Sequence, residues 1–196
     1  MGTQDEAAPA TAPLADARAA GASVGPVPDA QTQGREPDPQ EVARQIVLRQ
    51  LAMAPRSRAE LLQKLAQRGC AADVAATVLD RMTQVGLVDD GSYAQMLVRS
   101  QQAARGLAKD ALAHQLRAKG IDDHLADEAL ASISDEDERD RARALVGKKL
   151  RAMHGLGIEV QTRRLAGMLA RKGYSARVTY AVIREAIADA PEHLPD

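Results

Sequence analysis

The chain has 196 residues, a formal net charge of −1 and only three aromatic residues, all tyrosine. Strands favour aromatic and β-branched residues, whereas this chain is rich in alanine, leucine, arginine and glutamate, so its composition predicts an all-α protein. A single cysteine, Cys70, excludes an internal disulfide, and no apolar run approaches the roughly 18 residues of a membrane span.

The first 40 residues differ in composition from the rest of the chain. They contain six of the nine prolines, and six acids against two bases. Because large apolar residues are few, this segment cannot bury enough surface to offset the entropy lost on ordering. We therefore expect a disordered tail over residues 1–40. Its start is acidic and lacks the apolar stretch of a signal peptide, which favours a cytoplasmic location.

Three helices are predicted over residues 41–86. The first runs over about 41–54 and ends before a proline. The second begins at a capping box, in which Ser57 and Glu60 bond each other's backbone amides, and it stops at Gly69. The third has apolar residues spaced for one buried face: Val74, Val78, Leu79 and Met82.

The same pattern recurs twice further along the chain. A Leu-x3-Leu-x2-Arg/Lys-Gly motif marks the second helix of each unit, and its second leucine and glycine are Leu65 and Gly69, Leu116 and Gly120, and Leu169 and Gly173. We predict three tandem three-helix repeats over residues 41–86, 87–134 and 135–190, followed by a tail at 191–196. Units of this size are marginal alone, so they should stack into an elongated array.

The later repeats also open with a helix. In the second repeat, Asp89 and Asp90 precede a helix that starts near Tyr93, and we interpret these acids as its N-cap and not as metal ligands. In the third repeat, the helix runs from Asp135 to about Met153. Its acids lie at the start and its bases at the end, as the helix dipole favours.

The patterns of an active site are missing from the sequence. It has no phosphate-binding glycine-lysine loop, its four histidines show no metal-ligand spacing, and its paired carboxylates lack an acid–base partner. We expect no catalytic residue, no metal and no cofactor, and we interpret Cys70 as a packing residue and not a reactive thiol.

Basic side chains remain as candidates for binding a partner. Most of them cluster on the third repeat, namely Arg163, Arg164, Arg171, Lys172 and Arg177, with Lys148, Lys149 and Arg151 just before them. Arg117 and Lys119 hold the equivalent place in the second repeat. Lys64 and Arg68 are weaker candidates in the first repeat. Such residues can contact phosphates or an acidic protein surface, but they also favour a helix C-terminus without any partner. The absence of phenylalanine and tryptophan argues against a platform for stacking bases.

One segment resembles a known family. The run GLVDDGSYAQMLVRS, from Gly86 to Ser100, looks like the signature of the RecX family, and it is followed by similar Arg-Gly and LRAKGI segments. The resemblance covers about residues 41–190. Tyr93 stands where the family more often has phenylalanine, and Ala108 where a proline is common.

The resemblance implies a curved array of three-helix units that docks along the groove of the RecA–DNA filament. Such a protein would limit filament growth, ATP hydrolysis and strand exchange, without an active site and as a monomer. Two alternatives stay open: an autonomous DNA-binding protein of tandem helix-turn-helix-like modules, and a helical-repeat adaptor for another partner.

Overall fold

A computed structural model describes residues 38–189 of the chain. These residues form helices and no strand, which confirms the all-α prediction. The nine helices are α1 Pro39–Met53, α2 Arg58–Gln67, α3 Ala72–Gln84, α4 Asp90–Arg105, α5 Lys109–Ala118, α6 Asp123–Ala131, α7 Asp135–Arg151, α8 Ile158–Arg171 and α9 Ala176–Ala188. The predicted tails lie outside the described residues, apart from residues 38–40, where α1 begins two residues earlier than expected.

The helices form three groups of three, each around its own core. Helices α1 to α3 bury one cluster of aliphatic side chains, α4 to α6 a second, and α7 to α9 a third. The central members of the cores are the two leucines of each repeat motif: Leu61 and Leu65, Leu112 and Leu116, Leu165 and Leu169. Three tandem three-helix repeats are therefore confirmed. Cys70 packs against the first core.

Local sequence signals account for the helix ends. Ser57 and Glu60 form the predicted capping box at the start of α2. Asp89 caps α4, since its carboxylate accepts a hydrogen bond from the Ser92 amide at 2.9 Å. Helix α7 ends at Arg151, two residues before the predicted end. No helix within residues 38–189 combines the length and apolar character needed to cross a membrane.

Candidate partner-binding surface

The first and second repeats meet where the end of α5 contacts the start of α2. The Ser57 hydroxyl is fully buried and donates a hydrogen bond to the Lys119 carbonyl at 2.7 Å. The Asp90 carboxylate accepts the Arg58 backbone amide at 2.8 Å. A carbonyl at the C-terminal end of α5 and a carboxylate at the start of α4 thus accept hydrogen bonds from the N-terminal end of α2.

Glu60 lies at the centre of this contact between the first and second repeats, and we call each contact between neighbouring repeats a joint. Its carboxylate accepts the Lys119 ammonium at 2.6 Å, the Tyr93 hydroxyl at 3.2 Å and the Ser57 amide at 3.2 Å. Burial raises the pKa of Glu60, but these hydrogen bonds and the Lys119 charge outweigh burial and hold the pKa below its ordinary value. Burial and the Glu60 charge raise the pKa of Tyr93 to about 12.

The second and third repeats are joined at the equivalent place. The Lys172 carbonyl at the end of α8 accepts the Ala108 amide at 2.9 Å, and the Lys172 ammonium donates to the Arg105 carbonyl. The Tyr174 hydroxyl donates to the Gly106 carbonyl at 3.2 Å. Burial, followed by the negative charge of Glu138, raises the pKa of Tyr174 to about 12. Helix α8 therefore meets α5 as α5 meets α2.

Two of the motif glycines make these close approaches possible. A Cβ atom at Gly120 would lie closer than 3.0 Å to the side chain of Ala59, and one at Gly173 would lie equally close to Ala111. Gly69, the equivalent residue of the first repeat, has nothing within 4 Å of that position. The glycines at the joints are required by packing as well as by their positive φ.

Two candidate cations belong to the joints. Lys119 and Lys172 stand at the same motif position, and each ammonium group contacts the preceding repeat. These two lysines contact the neighbouring repeat. The sequence pattern alone could not show whether they bind a partner or another repeat.

Three arginines of α8 are exposed instead. Helix α8 begins seven residues before its first motif leucine, whereas α2 and α5 begin three residues before theirs. Counted from the first motif leucine, Arg163 and Arg164 correspond to Ala59 and Glu60, which contact the second repeat. Within residues 38–189, no further repeat packs against the two arginines. Together with Arg171, they form no ion pair with any described residue. We call these three residues the α8 arginines.

The other candidates are distributed over the surface. Lys148, Lys149 and Arg151 are exposed in the last turn of α7. Arg177 is exposed in the first turn of α9, whereas Arg117 pairs with Asp123 at 3.3 Å. In the first repeat, Lys64 contacts Gln67 and Arg68 is exposed. The free positive charge is thus concentrated in the third repeat.

Sequence reasoning missed the inter-repeat roles of Glu60, Tyr93, Asp90 and Tyr174. One available signal was the alanine close before the first motif leucine in the first two repeats, Ala59 and Ala111, which makes room for the glycines. Within residues 38–189, no group of three or more histidine, cysteine, aspartate or glutamate side chains could hold a metal ion.

Three family models match the chain in order. They are described as the first, second and third three-helix domains of RecX, and they match residues 43–82, 89–130 and 135–186.

Relatives of similar length carry the name Regulatory protein RecX. One from Streptomyces coelicolor is 46% identical over 162 residues, which cover 81% of this chain and 86% of the relative. One from Thermobifida fusca is 46% identical over 143 residues, 73% and 77% of the two chains. One from Mycolicibacterium smegmatis is 43% identical over 171 residues, 85% and 90% of the two chains.

Solved structures share the fold. The crystal structure of RecX from Lactobacillus salivarius matches with a TM-score of 0.70 at 22% identity, over 76% of this chain and 97% of that one. A second crystal structure, of a regulatory protein RecX, matches with a TM-score of 0.67 at 24% identity, over 76% and 72%.

Proposed function

Since this chain belongs to the RecX family, we propose that it is a negative modulator of the RecA recombinase. It binds the RecA–DNA filament and limits filament growth, ATP hydrolysis and strand exchange. It acts by binding and not by catalysis, as a monomer in the cytoplasm. RecA as the partner comes from the family resemblance of the segment from Gly86 to Ser100.

The α8 arginines are the observation that supports a binding surface in the third repeat. Arg163, Arg164 and Arg171 are exposed and form no ion pair with a described residue, so their charge is available to a partner. Arginine binds carboxylate and phosphate through paired hydrogen bonds, and either group could face it on a filament of protein and DNA.

The joints support the choice of a filament as partner. Each joint combines backbone and side-chain hydrogen bonds with a tight glycine–alanine contact, so the three repeats are tied in series. A series of tied repeats can present one surface to several subunits of a polymer. Binding across adjacent subunits would oppose the addition and loss of subunits, which is a physical route to limiting filament growth.

The test measures ATP hydrolysis by RecA on single-stranded DNA. The protein should inhibit at less than one molecule per RecA subunit. Reversing the α8 arginines together, R163E, R164E and R171E, should raise the concentration for half-inhibition by roughly tenfold or more, because three attractive charges become repulsive. The matched control reverses three exposed arginines of the first and second repeats, R49E, R81E and R99E, and should inhibit as the unaltered protein does.

Circular dichroism should show equal helical content in both variants. No inhibition by the unaltered protein at excess would contradict the function. If the unaltered protein inhibits but both triple variants lose inhibition equally, the proposed function would stand and a specific role of the α8 arginines would be contradicted.

A further inference from the structure

The third repeat has an open groove between α8 and α9. It has a volume of about 690 Å³ and is lined mainly by apolar side chains, including Ile158, Tyr180, Ile183 and Ile187. Tyr180 is 60% exposed and Ile158 is 50% exposed, although both are large apolar residues. Two arginines, Arg177 and Arg184, also line the groove, and no acidic residue among 38–189 does.

In the first repeat, an ion pair links the two helices that correspond to α8 and α9. There Arg58 of α2 and Asp80 of α3 form an ion pair at 2.5 Å between the two helices. Counted from the motif leucine and glycine, the equivalent residues of the third repeat are Thr162 and Arg184. They cannot form an ion pair with each other, so the groove lacks its bridge and leaves Arg184 without a carboxylate.

The charge of this face is reversed between the first and third repeats. Arg177 and Arg184 stand where the first repeat has Asp73 and Asp80. Arg184 forms no ion pair with a described residue. Arg177 also lines a small cleft with Asp135, but that carboxylate is already bound by Lys109 at 3.1 Å. A carboxylate supplied from outside would give Arg184 the ion-pair partner that Thr162 cannot provide.

We propose that the α8–α9 groove binds an apolar protein segment flanked by aspartate or glutamate. The apolar side chains of the bound segment cover Ile158, Tyr180 and Ile187 of the groove, and a flanking carboxylate of the segment pairs with Arg184. A nucleic acid fits less well, because surfaces that bind it are more polar than this lining. A symmetric pair of copies would bring the arginines of one groove towards those of the other, which costs free energy. The inference does not depend on RecA.

The first test measures binding of a synthetic peptide by fluorescence anisotropy. The probe is a fluorescein-labelled peptide with leucines at helical spacing and aspartates between them, added to the full chain without RecA. R184E and Y180A should each weaken binding by roughly tenfold, because they remove the charge partner and the apolar contact. The matched control R99E makes the same charge change at an exposed arginine of the second repeat, outside the groove, and should alter binding by less than about twofold.

Two control peptides separate specific docking from general attraction. Replacing the leucines by alanine, or the aspartates by lysine, should abolish measurable binding. Equal binding of either control peptide, or no binding of the probe, would overturn the proposal. A single-stranded oligothymidine that binds the unaltered chain and loses affinity in Y180A, while the probe does not, would assign the groove to nucleic acid instead.

A crosslinking test identifies what occupies the groove. Tyr180 is replaced by the photoreactive residue p-benzoylphenylalanine, and crosslinks are mapped by mass spectrometry. Crosslinks to the added probe, with none in its absence, support the proposal. Crosslinks to residues 1–37 or 190–196 of the same molecule would show that the chain covers its own groove. Crosslinks between two molecules would show a second copy there. Either result would overturn the proposal.

Discussion

Gly120 of the second repeat lies against Ala59 of the first, so closely that a Cβ atom at Gly120 would stand less than 3.0 Å from the alanine side chain. The hydrogen bond from Ser57 to the Lys119 carbonyl lies beside this contact, one residue before Gly120. Gly173 and Ala111 repeat this relationship between the third and second repeats. The same glycine–alanine contact is therefore found at both places where neighbouring repeats meet.

Gly120→Ala should destabilise the protein more than Gly69→Ala. Both glycines have positive φ, 69° and 75°, so either alanine costs about 1–2 kcal/mol of backbone strain. Only the alanine at position 120 also overlaps a neighbour, which adds about 1–3 kcal/mol. The midpoint of urea unfolding measures the difference. Adding Ala59→Gly to Gly120→Ala should recover part of the loss, and equal midpoints for the two single variants would contradict the packing argument.

Ser57→Ala should cost more stability than Ser134→Ala. Both serines form a capping box, with Glu60 and Asp137 respectively, and loss of either cap costs about 1 kcal/mol. Ser57 is also fully buried and donates to the partly buried Lys119 carbonyl, so its loss removes a hydrogen bond between repeats, at about 1 kcal/mol more. Thermal unfolding compares the two. A Tm loss as large for Ser134→Ala would show that the inter-repeat bond contributes nothing.

Lys172→Ala and Arg171→Ala should separate stability from binding. The Lys172 ammonium donates to the Arg105 carbonyl across the second joint, so its removal should lower the free energy of unfolding by about 1 kcal/mol. Arg171 is exposed and unpaired, so its removal should change that free energy by less than about 0.5 kcal/mol. Arg171→Ala should instead weaken inhibition of RecA. A larger loss of stability in Arg171→Ala than in Lys172→Ala, together with weaker inhibition only in Lys172→Ala, would contradict this prediction.

Glu60 should make stability depend on acidic pH. The pKa of Glu60 is lower in the folded protein than in the unfolded chain, because hydrogen bonds to the carboxylate outweigh burial. Its stabilising contribution is therefore fully present above the unfolded pKa, near 4.5, and is lost as the pH falls through the folded pKa.

The comparison of Glu60→Gln with Glu41→Gln tests this dependence. Urea unfolding between about pH 6 and pH 3 should show a smaller loss of stability on acidification in Glu60→Gln than in the unaltered protein. Glu41 forms only exposed contacts, an ion pair with Arg44 at 3.4 Å and a hydrogen bond from Gln45 at 3.3 Å, so Glu41→Gln should follow the unaltered protein. An unchanged pH profile in Glu60→Gln would show that the carboxylate is not the responsible group.

Binding to naked DNA should reveal whether the α8 arginines contact phosphate. Each phosphate neutralised on single-stranded DNA contributes about 0.7 to the slope of log affinity against log salt concentration. We expect weak binding, and slopes for the unaltered protein and the R163E, R164E, R171E variant that differ by less than about 1. A slope reduced by about 2 in the variant would favour the autonomous DNA-binding alternative.

Helix identity and helix ends followed from residues close together in sequence. The Ser57–Glu60 capping box and the motif glycines were predictable, because a bond from one residue to the third along is fixed by helix geometry. The motif leucines were predictable as core residues for the same reason, since helical periodicity places them on one face.

The contacts between repeats required the tertiary structure. Lys119 and Arg117 are indistinguishable as charged residues near the end of α5, yet Lys119 reaches Glu60 in the preceding repeat and Arg117 pairs with Asp123. The groove lined by Thr162 and Arg184, which cannot form an ion pair across it, is likewise recognised only once the positions of α8 and α9 are known.

The sequence by itself determined the all-α class, the threefold repeat and the family, because these depend on periodicity and on a motif that is contiguous in the chain. Only the tertiary structure decided which bases hold the repeats together and which stay exposed. The physical reason is that a lysine 59 positions from its partner carboxylate, as Lys119 is from Glu60, is positioned by the packing of whole helices and not by its sequence neighbours.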